Sequence, residues 1–120
     1  MEAAIKTLAT LKGAQKGVLA AGDMLELGAD SERLHEDIGR IAAQAGVSML
    51  LLTGDYAPAV KKGAVRQGMK DDRIVIGEKS ELAVKLLEIL EPEDWVLVKG
   101  SRSVGMETVV QLLEEADIIT

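Results

Sequence analysis

The sequence has no cysteine and no phenylalanine, one histidine, one tryptophan and one tyrosine. Without cysteine, disulfides and thiolate metal sites are excluded. With His35 alone, a multi-histidine zinc site is excluded as well. With Trp95 and Tyr56 as the only aromatics, any core has to be built from Leu, Ile, Val, Ala and Met. No apolar run approaches the roughly 20 residues that a membrane span needs, and the opening MEAAIKTLAT has neither the apolar stretch nor the cleavage site of a signal peptide. Positive charge is scarce and scattered: the formal net charge is -6 and no basic run is longer than Lys61-Lys62. Nucleic acids and anionic membranes both demand clustered positive charge, so neither is an expected partner. A cytoplasmic, monomeric protein is the simplest expectation.

What is present suits one folded domain. The 120 residues are 48% hydrophobic and 28% charged, an ordinary globular balance, and a chain of this size buries roughly two-thirds of its unfolded surface. No repeat, linker or low-complexity stretch divides it.

Helix-period and strand-like segments alternate, about five helices with four strands. Ala4, Ile5, Leu8 and Leu11 form a helical face over residues 1–11. Gly17 to Ala21 is a short apolar run read as a buried strand, followed by a loop or single turn over 22–30. Asp30 or Ser31 is placed to cap a helix whose stripe is Leu34, Ile38, Ile41, Ala42 and Ala45, with Gly46 as its stop. Met49 to Leu52 reads as a second strand. Pro58 suits the first turn of the next helix, which Gly63 and Gly68 weaken. Arg73 to Ile76 is the third strand, Ser80 the cap of a helix carrying Leu82, Leu86, Ile89 and Leu90, and Pro92 its stop. Trp95 to Val98 is the fourth strand, Lys99 to Val104 a loop. Met106, Val109, Val110 and Leu113 mark a last helix, and Ile118-Ile119 a strand fragment.

Near-continuous apolar strands separated by helices predict a mostly parallel sheet covered on both faces, a three-layer α/β/α Rossmann-like domain. A parallel sheet ordinarily begins with a strand. The helix-first order therefore suggests a chain trimmed from a larger protein, with a first strand missing, although a native helix-first variant has the same pattern.

Ligands of open parallel sheets sit outside the carboxyl ends of the strands. Three segments fall there: Gly22-Asp23-Met24, Thr53-Gly54-Asp55, and Lys99-Gly100-Ser101-Arg102-Ser103. The last lies before a helix N-terminus, where free N–H groups and the helix dipole favour an anion. Lys99 and Arg102 add charge, and Ser101 and Ser103 add hydroxyls. A carboxylate or phosphate cradle and an exposed lysine with a serine cap fit these residues equally. Asp23 and Glu26 could hold an ammonium group or orient a neighbour, but Asp after Gly is also ordinary turn chemistry. His35, beside Leu34 in an amphipathic helix, reads as a structural hydrogen-bonder rather than a catalyst. Asp71-Asp72 reads as a solvated turn rather than a metal pair. Neither the P-loop pattern G-x-x-x-x-G-K-[ST] nor G-x-G-x-x-G occurs, so the common sequence devices for holding nucleotide phosphates are missing. A receiver-type phosphoacceptor would need an acidic pair after the first strand and an Asp after the third, where single acids and Gly77 stand.

Two longer motifs carry a resemblance. G-D-M-L-E-L-G (22–28), followed by Ser31 and His35, and V-L-V-K-G-S-R-S-V-G-M-E (96–107) resemble the C-terminal domain of the MurF ligases of the Mur ligase family, in the right order and with fitting elements between. The resemblance covers essentially the whole chain. It implies a Rossmann-like domain that closes over the active site of a three-domain ATP-dependent amide ligase, joining D-Ala-D-Ala to UDP-MurNAc-tripeptide in peptidoglycan precursor synthesis. In that reaction Mg-ATP phosphorylates the terminal carboxylate of the tripeptide, and the dipeptide amine displaces phosphate. The nucleotide P-loop, Mg2+ ligands and carbamylated lysine belong to the family's central domain, and the UDP-sugar site to the N-terminal one. The family's D-x-Y-N-A-N-P-x-S-M segment would end at Met1, which would account for the helix-first order. The resemblance implies ATP and Mg2+ in the parent enzyme, no cofactor or metal in this domain alone, and no turnover without the other two domains. Carried over residue by residue, Lys99, Gly100, Ser101 and Arg102 face the closed site on the D-Ala-D-Ala side, and Asp23 and Met24 line the neighbouring strand end. Asp55 and Tyr56, with Glu26 and His35, are weaker candidates. Two alternatives stay open: a sister ligase of the MurE or folylpolyglutamate synthetase type, whose MurE D-N-P-R signature is replaced here by T-G-D-Y, and a stand-alone α/β module binding a small anion.

Overall fold

The computed structural model describes residues 5–7, 9–10, 17–24, 30–89 and 94–99. The first of these stretches are helical, and Ile5 is fully buried. Strands β1 (Gly17–Ala21), β2 (Met49–Leu52), β3 (Ile74–Ile76) and β4 (Trp95–Lys99) alternate with helices α1 (Ser31–Gln44), α2 (Ala57–Arg66) and α3 (Lys79–Ile89). The sheet order is β3-β2-β1-β4 and every pair is parallel. The expected helix over 106–113, the strand at 118–119, and the residues Glu26, Gly100, Ser101 and Arg102 lie outside the described residues.

The sheet is apolar on both faces because both are covered. Alternate residues of β1 point opposite ways: Leu19 and Ala21 join Leu50, Leu52, Ile38, Ala42, Val60 and Ala64 under α1 and α2, while Val18 and Ala20 join Leu51, Leu82, Ala83 and Leu86 under α3. Each buried leucine of this kind stabilises the fold by about 1.5–3 kcal/mol relative to exposure. The layers are therefore α1 and α2, the sheet, and α3, as the apolar patterning predicts.

Helix α1 ends where Gly46 was expected to stop it. Val47 N–H donates to Ala42 O at 3.1 Å and Gly46 N–H to Ala43 O at 3.2 Å, the paired bonds of a Schellman ending. At its other end Asp30 is the cap residue but makes no side-chain cap bond; its carboxylate is turned to Arg33 at 3.3 Å.

Several local expectations are corrected. Gly63 does not merely weaken α2: a Cβ there would collide with the backbone carbonyl of Glu36, and one at Gly39 with that of Val60, so the two glycines let α1 and α2 approach backbone to backbone. Gly68, at φ +109, lies beyond α2 and ends it, with Met69 N–H reaching Ala64 O at 3.0 Å and Gly68 N–H reaching Val65 O at 3.0 Å. Ser80 is inside α3 rather than its cap. Glu78 precedes the helix and receives a reciprocal bond, its N–H donating to Glu81 Oε1 at 3.1 Å, the return half of a capping box. Arg73 belongs to a 3-10 turn, Asp71–Arg73, so β3 begins at Ile74, which pairs with Leu50. Asp71 is a solvated turn residue as expected, paired with Lys61 at 2.8 Å. Lys99 is the last residue of β4, not the first of a loop, because its peptide still pairs with Ala21.

Candidate functional site

The strand order creates a switch point. The chain steps outward from β1 to β2 to β3, then returns to place β4 on the other side of β1. The helix that follows β1 and the helix that leads into β4 cover opposite faces of the sheet, the arrangement at whose carboxyl ends open α/β sheets receive ligands. Ala21 and Lys99 are partners in register there, and Gly22 N–H donates to Lys99 O at 2.8 Å. The Gly22-Asp23-Met24 and Lys99 segments singled out in the sequence are thus brought side by side. Lys99 is exposed, and among the described residues its ammonium has no ion-pair partner. Gly100, Ser101 and Arg102 follow it directly in the chain.

Asp23 is spoken for. Its carboxylate is 8% exposed, with Oδ2 accepting from Asp55 N–H at 2.9 Å and Oδ1 from Tyr56 N–H at 2.9 Å. These two N–H groups belong to the cap residue of α2, Tyr56, and the residue before it, so the carboxylate lies at the entry of the helix. A carboxylate at a helix N-terminus also meets the positive end of its dipole. Asp23 therefore supplies from β1, 32 residues away along the chain, the anion that a local cap would provide. The expectation that Asp23 could hold a substrate ammonium gives way to the other expectation, that it orients a neighbour. Gly54 is required beside it: its φ is +104, and a Cβ there would stand 2.5 Å from the Asp23 carboxyl group.

His35 performs the complementary task from α1. It is 1% exposed. Nδ1 lies 2.6 Å from the carbonyl oxygen of Ser31, which can only accept, so Nδ1 carries the proton. Nε2 is then the acceptor for Met24 N–H at 3.0 Å. The neutral ring satisfies both contacts with one tautomer. Its face stacks on Tyr56, centroids 4.4 Å apart and planes at 13°. The structural reading of His35 made from the sequence agrees with this geometry. The exit of β1, the first turn of α1 and the entry of α2 are consequently joined through two side chains by four hydrogen bonds and one ring stack.

This division leaves the free chemistry elsewhere. Backbone donors at residues 24, 55 and 56 are all used, while the exposed Asp55 carboxylate, the Tyr56 hydroxyl and the Lys99 ammonium have no partner among the described residues. Asp55 and Tyr56 leave β2, Lys99 leaves β4, and β1 lies between them. The pairing of His35 with Tyr56 was not legible in the sequence, because nothing in local spacing connects a helix interior with a loop beyond the next strand. Two shallow depressions lie away from this edge. One of about 430 Å3 is lined by Lys6, Thr10, Ile41 and Gln44, at the end of α1 that feeds the start of β2. The other, about 220 Å3, lies between Glu36, Arg40 and Arg66, where Glu36 is already paired with Lys62 and Arg66. Among the described residues no three His, Cys, Asp or Glu side chains gather in a way that could hold a metal ion, and no helix is long and apolar enough to cross a membrane.

Residues 1–102 match the family described as Mur ligase, glutamate ligase domain. The chain is 38% identical over 116 residues, 96% of its length, to the UDP-N-acetylmuramoyl-tripeptide–D-alanyl-D-alanine ligase of Escherichia coli K12, and covers 24% of that protein. It is 30% identical over 118 residues to the ligase of the same name from Bacillus subtilis 168, covering 98% of this chain and 26% of the relative. Among solved structures, a crystal structure of MurF from Acinetobacter baumannii superposes with a TM-score of 0.79 at 28% identity, over 96% of this chain and 25% of that one. The MurF ligase of Thermotoga maritima, crystallised with ADP, shares the fold with a TM-score of 0.74 at 23% identity, over 92% and 24% of the two chains. The chain spans about a quarter of the length of these proteins.

Proposed function

The chain belongs to the family of Mur ligase glutamate ligase domains, and on that premise we propose that it is the C-terminal, substrate-closing domain of an ATP-dependent ligase that joins D-Ala-D-Ala to UDP-MurNAc-tripeptide. The observation that carries this reading is the likeness over nearly the whole chain to relatives bearing that activity in their names. The switch-point geometry supports it. Lys99, at the end of β4 and beside the end of β1, meets the dipeptide carboxylate together with Gly100, Ser101 and Arg102. The Met24 segment forms the neighbouring wall. The amine end of the dipeptide is left to face the activated tripeptide on the rest of the enzyme.

In the reaction so assigned, the γ-phosphoryl group of ATP passes to the terminal carboxylate of the tripeptide and ADP leaves. The dipeptide nitrogen then attacks the carbonyl carbon, the C–O bond to phosphate breaks, inorganic phosphate departs and the nitrogen loses a proton to solvent. The domain contributes by orientation: holding two reactants in line removes much of the entropic barrier of a bimolecular step. The ion that accompanies ATP is assigned, as the family resemblance implies, to the other domains of the parent, and no step here passes through it. The parent is a cytoplasmic bacterial enzyme on this reading, and this domain alone does not turn over.

The test is phosphate release by the full parent enzyme with UDP-MurNAc-tripeptide, Mg-ATP and D-Ala-D-Ala, beside the 120-residue chain alone. Release that requires the dipeptide in the parent, and none from the chain alone, is expected. A parent indifferent to D-Ala-D-Ala but active with a free amino acid would move the assignment to a sister ligase.

A further inference from the structure

The chain contains one histidine, and both of its ring nitrogens are committed. His35 is 1% exposed. Its Nδ1–H donates to Ser31 O at 2.6 Å and its Nε2 accepts from Met24 N–H at 3.0 Å. Only the neutral ring can do both. A second proton, placed on Nε2, sets one N–H donor against another, and the bond to Met24 cannot survive. The bond to Ser31, in which the ring already donates, is untouched. Protonation therefore acts on one contact of the two, the one that joins α1 to the exit of β1.

No carboxylate is placed to turn the lost bond into an ion pair. On the exit of β1, Asp23 is committed to the N–H groups of residues 55 and 56. On the loop before α2, Asp55 is exposed and Tyr56 presents its ring face to the imidazole. On and before α1, Glu32 is exposed, Asp30 is paired with Arg33, Glu36 with Lys62 and Arg66, and Asp37 with Arg40. On α2, Lys61 turns to Asp71. The stacked face of Tyr56 attracts a cation and Ser31 O still accepts, so the charged ring keeps its place and the Met24 segment is what yields.

Imidazole is the side chain whose charge changes between mildly acid and neutral conditions. We propose that His35 is an acid-released clasp between α1 and the exit of β1. A proton on Nε2 frees Met24, while the second clasp, Asp23 on the entry of α2, stays closed, since carboxylates ordinarily remain ionised at acidities that already charge imidazole. The segment that loosens lies beside β4, where Gly22 N–H is bonded to Lys99 O. The consequence for ligation rests on the ligase reading, which places the Met24 segment along the substrate; the clasp itself does not.

The 120-residue chain is followed by NMR from neutral to mildly acid pH, reading the 15N signals of its single imidazole and the hydrogen-exchange protection of its amides. As Nε2 gains its proton, the protection of Met24 is expected to fall about tenfold, the loss of one hydrogen bond. The amides of Asp55, Tyr56 and the buried Leu50 are expected to keep theirs. His35→Gln, whose side-chain oxygen can accept from Met24 N–H without titrating, is expected to abolish the response. Met24 protection that stays constant while the ring is protonated would overturn the proposal. So would a ring that stays neutral until Leu50 also loses protection, or a Met24 response that persists in H35Q. In the full parent, dipeptide-dependent phosphate release is compared with each enzyme's own neutral value. Acidification is expected to lower it about tenfold further in the unsubstituted enzyme than in H35Q; equal falls would overturn the regulatory role. A parent with no dipeptide-dependent release fails the ligase reading, and the amide measurements still decide the clasp.

Discussion

The rings of His35 and Tyr56 lie face to face, centroids 4.4 Å apart and planes 13° apart, although one belongs to the first turns of α1 and the other to the loop before α2. This contact converts an otherwise local arrangement into one between two connections of the sheet. A stacked aromatic pair contributes about 0.5–1.5 kcal/mol beyond the area it buries. Tyr56→Leu is therefore expected to lower the unfolding free energy of the chain by about 1 kcal/mol, while Tyr56→Phe, which keeps the ring, stays close to the parent value. Urea unfolding of the two variants decides between a ring contact and a hydroxyl contact as the stabilising element. Equal losses in both would show that the hydroxyl matters to the fold.

Gly54 and Asp23 are coupled through space that no side chain at 54 can share. Gly54→Ala is expected to destabilise for two reasons, the left-handed backbone and the collision with the carboxyl group. Together these come to about 2–3 kcal/mol. In an Asp23→Ala background the steric part disappears and only the backbone part, about 1 kcal/mol, remains. A double-mutant cycle by chemical denaturation measures the difference. Additive losses would mean that the loop already moves away from Asp23 at no cost.

The α1–α2 contact makes a sharper demand. A Cβ at Gly63 meets the backbone of Glu36 rather than a movable side chain, so relief requires a helix to shift. Gly63→Ala raises intrinsic helix propensity by about 1 kcal/mol, yet the expected net effect is a loss of more than about 2 kcal/mol. A thermal melt showing increased stability would refute the close-approach account and restore the simpler view that Gly63 only weakens its helix.

Leu51 is fully buried under α3, whereas Lys99 is exposed. Leu51→Ala is expected to cost about 2–5 kcal/mol. Lys99→Ala is expected to leave stability within about 0.5 kcal/mol but to raise the dipeptide KM of the full parent enzyme. Unfolding curves and ligation kinetics on the same two variants separate the core from the site. If Lys99→Ala leaves the kinetics unchanged, the carboxylate role proposed for it is wrong.

The strands were legible because each is a short apolar run bounded by polar or turn residues: Gly17–Ala21 and Met49–Leu52 coincide with the observed β1 and β2, and continuous rather than alternating apolarity announced a sheet covered on two sides. Boundaries that depend on a competing local bond were less legible. Ser80 resembles a cap in sequence, but Glu78, whose N–H bonds the Glu81 carboxylate, takes that place and α3 starts two residues earlier, at Lys79. Lys99 resembles a loop residue until its peptide finds Ala21 across the sheet.

The same distinction runs through the site. Periodicity and composition determined the α/β/α class and pointed to Asp23, Met24, Asp55 and Lys99 at strand ends, while the resemblance added Tyr56 and His35 as weaker candidates, because these depend on side-chain chemistry and on neighbours close in the chain. Only the tertiary structure decided which of them are spent and which are free. Asp23 reads as a potential ligand group until folding brings it within 2.9 Å of two N–H groups 32 and 33 residues away. Hydrogen-bond commitments of that range are set by strand order and register, which bring distant peptides together, and a linear pattern carries no record of which donor will arrive.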